Sequence, residues 1–100
     1  MADIKVSGMT MTVSGRLDTI VGSFSLDLQL MALVTNNTKP DIVIDMKGLE
    51  YISSDAIRVL AAARRAVTAK GGQIKLLHLT QQVKNALGLV GQLSQFTVVD

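Results

Sequence analysis

The side chains with the most chemical capacity stand together at Ser53-Ser54-Asp55, two hydroxyls followed by a carboxylate. They end the segment Asp45-Met46-Lys47-Gly48-Leu49-Glu50-Tyr51-Ile52 and open a stretch, Ala56-Ile57-Arg58-Val59-Leu60, with helical spacing. A hydroxyl at a helix start has two uses. Its oxygen accepts a free backbone N–H, a cap that contributes about 1 kcal/mol, and Asp55 faces the positive end of the helix dipole. The same free N–H groups also favour a phosphoryl group on a serine, although the Asp55 carboxylate repels it. Capping alone accounts for these residue types, so local physics leaves both readings open.

The remaining candidates point to little chemistry. Arg58, Arg64 and Arg65 read as a solvated helix face, with Arg58 one turn from Ser54, in reach of a partner carboxylate or a phosphate. His78, the one histidine, stands between Leu77 and Leu79 and reads as structural. A general base needs a nucleophile and an orienting carboxylate, and no spacing here identifies them. Without cysteine there is no disulfide and no thiolate metal site, and one histidine cannot furnish a multi-histidine centre. The chain has neither a phosphate-binding P-loop nor Gly-x-Gly-x-x-Gly, and Gly71-Gly72 reads as a helix stop. No catalytic residue, cofactor or metal is expected, and the chain reads as a non-enzyme.

One hundred residues make one domain, residues 1–100, with about 5,500 Å² exposed when folded against roughly 15,500 Å² unfolded. Apolar residues are 48% of the chain but aromatics only 3%, so the core must be aliphatic, with Met9, Met11, Met31 and Met46 as fillers. That composition excludes disorder. A net charge of +2 and three aromatics argue against nucleic acid as a partner. No apolar run is long enough to span a bilayer, and Met1-Ala2-Asp3-Ile4-Lys5 lacks the blocks of a signal peptide. A cytoplasmic protein without direct membrane insertion is the expectation.

Alternation from Met9 to Val13 predicts a strand that Ser7-Gly8 makes the second arm of an N-terminal hairpin. Asp18 or Thr19 caps a helix from Ile20 to Val34, with Ile20, Phe24, Leu28, Met31 and Leu33 as its expected apolar face. Asp41–Asp45 reads as a central strand covered on both faces, followed by a loop from Met46 to Ser54. The next helix, Ser54–Lys70, buries Ala56, Val59, Leu60, Ala63 and Val67. A strand over Gln73–Leu79, a helix capped by Thr80 that runs through Val83, Leu87 and Val90, and a strand over Phe96–Val99 complete the order ββαβαβαβ. Strands separated by helices require crossovers. The fold class is therefore α/β, a small sandwich with a mostly parallel central sheet and an antiparallel N-terminal hairpin.

The run from Asp45 to Leu60 resembles the signature of the STAS domain family, the anti-sigma factor antagonists. An Asp ends the central strand, and a loop, an aromatic and a hydroxyl-rich helix start follow. Ser14-Gly15-Arg16-Leu17-Asp18, Gly71-Gly72-Gln73-Ile74 and Val83-Lys84-Asn85-Ala86-Leu87 match further family segments in order, so the likeness covers essentially the whole chain. It implies a protein-interaction module that binds an anti-sigma factor or histidine-kinase-like ATPase. In signalling members that kinase phosphorylates a hydroxyl of the pair, and a phosphatase resets it. Aligned without gaps, Ser54 falls on the first hydroxyl and Asp55 on the second; Ala56 replaces the usual glycine, and Ser53 stands where many relatives carry Asp. The resemblance thus makes Ser54 the phosphoacceptor candidate and Ser53 the second choice. The partner surface would comprise Ser53, Ser54, Asp55 and Arg58, with Lys47 and Asp18 at its rim. Asp55 in the acceptor slot also suits an alternative: a cytoplasmic STAS subunit of a lipid-transporting ABC complex, or another scaffold that is never phosphorylated.

Overall fold

The β-branched and alternating segments form one five-stranded sheet, seen in a computed structural model that describes residues 2–99. The strands are β1 (Ala2–Ser7), β2 (Thr10–Leu17), β3 (Asp41–Ile52), β4 (Gln73–Leu77) and β5 (Thr97–Val99). The helices are α1 (Ile20–Thr35), α2 (Ser54–Ala69) and α3 (Gln81–Leu89), and a 3₁₀ turn spans Leu93–Gln95. The sheet order is β1-β2-β3-β4-β5; β1 and β2 are antiparallel and every other pair is parallel. The α/β class, the hairpin and the order ββαβαβαβ are as expected. The folded surface is 5450 Å², close to the scaling value.

Each parallel pair is joined through one helix and each step moves one strand along the sheet. Right-handed crossovers then place all three helices on the same face. Burial agrees: Ile42, Ile44 and Met46 of β3 are fully buried, while the intervening Val43, Asp45 and Lys47 are partly or fully exposed. This corrects the expectation of a strand covered on both faces. Between Thr12–Asp45 and Ser14–Gly48, and again between Gly15–Leu49 and Arg16–Tyr51, β3 carries one residue more than β2. Each bulge shifts the inward phase, so Leu49 and Ile52 turn to the core after Met46. These irregularities made residues 46–52 read as a loop; they are strand.

Two helical expectations also need correction. In α1 the inward residues are Ser23, Leu26, Leu30 and Val34, whereas Ile20, Phe24 and Leu28 are exposed. The helix is apolar on both sides, so periodicity does not say which face meets the sheet. In α2, Ala56, Leu60, Ala63 and Val67 are buried as expected, joined by Ile57 and Ala61, with Val59 partly buried. Val90, expected as part of α3, is the residue that ends that helix and is half exposed. Thr19 rather than Asp18 caps α1, its hydroxyl accepting the Gly22 N–H at 3.0 Å. The core is aliphatic apart from Phe96, with Met11 and Met46 fully buried and Met9 and Met31 packed at its margin.

Candidate functional site

Strands β2 and β3 end side by side, Leu17 paired with Ile52, and the Ser53 N–H donates to the Leu17 carbonyl at 2.7 Å. This pairing fixes where α2 begins. Ser53 is the N-cap: its backbone is extended and its hydroxyl accepts the Ala56 N–H at 3.2 Å. Ser54 is the first helical residue and Asp55 the second, and both are exposed. The Ser54 hydroxyl has no hydrogen-bond partner among the described residues. Capping and availability therefore fall on different serines.

Asp55 pairs with Arg58 one turn on, and both side chains are largely in solvent. Arg58 thus serves the carboxylate of its own helix, an exposed contact worth a few tenths of a kcal/mol. Asp18 lies on the connection from β2 to α1 and accepts from Arg16 Nε at 3.1 Å, while the Arg16 guanidinium sits 4.8 Å from the centre of the Tyr51 ring. Tyr51 is two residues before Ser53, so this chain of contacts ties Asp18 to the helix start. Lys47 belongs to another group. Its backbone N–H donates to the Asp45 carboxylate at 3.0 Å, and His78 Nδ1 lies 3.2 Å from the same oxygen. The Lys47 hydrogen bond, opposed by partial burial and helped by His78, holds Asp45 below its ordinary pKa. Five residue steps of strand, about 16 Å when extended, separate Lys47 from Ile52.

A groove of about 340 Å³ adjoins Ser54, lined by Ile57, Arg58 and Ala61 of α2 and by Val90 and Gln92 beyond α3. Gln92 Oε1 is buried there without a hydrogen-bond partner. Ile57 and Ala61 follow Ser54 at helical spacing, which the sequence shows. Val90 and Gln92 come from more than thirty residues away, and no spacing announces them; only the turn at Gly91, with φ of 71°, brings them there. Among the described residues no group of His, Asp or Glu could hold a metal ion, and no helix is long and apolar enough to cross a membrane.

The family described as "Mlab, STAS domain" matches residues 1–93. No curated protein sequence matches the chain. Among solved structures, the unphosphorylated form of the anti-sigma factor antagonist SpoIIAA superposes with a TM-score of 0.79 at 14% identity, covering 100% of this chain and 89% of that one. The phosphorylated form of the Bacillus protein gives 0.72 at 14% identity, covering 100% and 92%. An anti-sigma factor antagonist from Mycobacterium paratuberculosis gives 0.78 at 21% identity, covering 98% and 83%. At these identities the superpositions speak for the fold.

Proposed function

The chain belongs to the STAS domain family, and we propose that it is an anti-sigma factor antagonist-like interaction module with no catalysis of its own. Its partner is an anti-sigma factor or a related histidine-kinase-like ATPase, which performs any phosphotransfer, with a phosphatase to reverse it. The observation that carries this reading is the exposed, unpartnered hydroxyl of Ser54 at the first position of α2. Ser53 is the weaker acceptor because its oxygen already accepts the Ala56 N–H. A phosphoryl group on Ser54 adds about −1.5 to −2 charges beside free helix N–H groups. Arg58 offsets the repulsion from Asp55 by pairing with it. The partner seats on Ser54, Asp55 and Arg58 and inserts an apolar side chain against Ile57, Ala61 and Val90. Asp18 borders this surface through Arg16 and Tyr51, while Lys47 stands apart from it beside Asp45.

Incubation with the cognate kinase followed by intact-mass spectrometry is expected to add one phosphate, lost in Ser54→Ala. A stoichiometric phosphate on any other residue overturns the assignment. Ser54→Ala should leave stability within a few tenths of a kcal/mol, whereas Ser53→Ala should cost about 1 kcal/mol in urea denaturation. Pull-down from the native host should recover a kinase or sigma regulator.

Asp55 in the second hydroxyl's place favours a second reading, in which the same surface holds a transporter ATPase and no phosphate is ever added. Co-purification with an ATPase subunit of a lipid-transporting ABC complex, with Ser54 unmodified, would establish it.

A further inference from the structure

Helix α1 is packed with a polar residue inward and an aromatic outward. Ser23 is 5% exposed and its hydroxyl has no hydrogen-bond partner, while Phe24 beside it is 61% exposed. Phe24 is one of three aromatics in the chain. With Ile20 at 79%, Val21 at 75% and Leu28 at 56%, it forms a continuous outward stripe, because i, i+4 and i+8 share one helix face. Ser23 shares that inward face with Leu26, Leu30 and Val34, whose burial holds the helix this way round. The consequence is an apolar stripe left in solvent on the opposite side of the helix, the kind of patch that marks an interaction surface.

We infer that this α1 stripe is the self-association surface of the protein, pairing with the same stripe of a second copy about a two-fold axis. Three observations favour a copy of this chain over other occupants. A two-fold interface needs knob and hole on one surface. Next to the stripe lies a groove of about 540 Å³, lined by Ala2, Thr19, Val21, Gly22 and Ser25, with the volume to receive an aromatic ring from the partner copy. The stripe carries no charge, so self-pairing sets no like charges against each other; the one ionisable residue of α1, Asp27, lies at its flank. The helix has no Lys or Arg, the residues that an anionic lipid surface would select. At about 100 Å² for each of the four side chains, two copies bury roughly 800 Å² of apolar surface, below the roughly 1,200 Å² of stable specific interfaces. A weak, reversible dimer is therefore the expected outcome.

Sedimentation velocity of the full chain between about 1 and 500 μM tests this, because mass action shifts a weak dimer across that range. The wild-type protein should pass from monomer to dimer, while Phe24→Asp and Leu28→Asp stay monomeric with unchanged far-UV circular dichroism. The absence of cysteine permits a direct check of geometry. With a short thiol-specific crosslinker, Ser25→Cys at the groove should give a linked dimer, and Asn85→Cys on α3 should not. A monomer throughout the range overturns the inference, as does a dimer that survives both aspartate substitutions. Binding to neutral or anionic vesicles without dimerisation would assign the stripe to lipid and equally overturn it. Phosphorylation of Ser54 is read separately, so failure here leaves the α2 site untouched.

Discussion

Two adjacent serines divide the work that either could do from composition alone. Ser53 is held by the Leu17 carbonyl and the Ala56 N–H, and Ser54 is left free. The division follows from where β3 stops, since the residue after the last strand pair takes the extended backbone that a cap requires. His78 and Asp45, 33 residues apart, form a contact that no spacing predicts. His78 adopts a left-handed backbone with φ of 53°, a conformation that histidine tolerates better than most residues. Asp45 also carries a pH dependence. Its folded pKa lies below the ordinary value, chiefly because the Lys47 N–H donates to it. The unfolded chain therefore takes up the proton first as pH falls. The stabilisation is fully present above the unfolded pKa near 4 and is lost on descending through the folded one. Urea midpoints from pH 7 to pH 3 should show Asp45→Asn less stable than wild type at neutral pH, with the gap closing in acid.

Helix ends and strand registers decide which residues meet. The Gly71-Gly72 pair reads as one stop signal, yet its members have separate tasks. Gly71 takes the left-handed conformation, with φ of 76°, that ends α2. Gly72 has ordinary backbone angles but packs on the chain entering β3, where an added Cβ would fall 1.9 Å from the Pro40 carbonyl oxygen. Gln73 N–H donates to that same oxygen at 3.1 Å, so the carbonyl cannot retreat without breaking the start of the β3–β4 pair. Gly72→Ala should therefore cost about 2–3 kcal/mol by thermal or urea unfolding, an overpacking effect at the upper end of its usual range. The bulges of β3 show the opposite case. They lengthen the strand to Ile52 and carry Ser53 to the sheet edge, but by breaking the alternation they hide the strand from a periodicity argument.

A single hydrophobic cluster draws on β2, α1, β3, α2, β4 and α3, leaving no element with a core of its own. Such a protein of 100 residues should unfold in one step. The chain has one tyrosine and no tryptophan, so Tyr51, at the end of β3 beside the candidate site, reports local structure by fluorescence. Its transition in urea should coincide with that of far-UV circular dichroism, with a slope of about 1 kcal/mol per M. Separate midpoints would show that the α2 entry loosens independently of the core. The amino-acid order determined the element sequence, the parallel sheet with its hairpin and the α2 stripe. Those follow from local signals: β-branched runs, capping hydroxyls, a glycine stop and crossover geometry. It also placed the chemically capable residues at the start of α2. The tertiary structure alone decided which serine is free, which face of α1 meets the sheet and which residues line the grooves. Those outcomes depend on contacts between segments more than thirty residues apart, and on a helix apolar enough to pack either way. No local pattern encodes either.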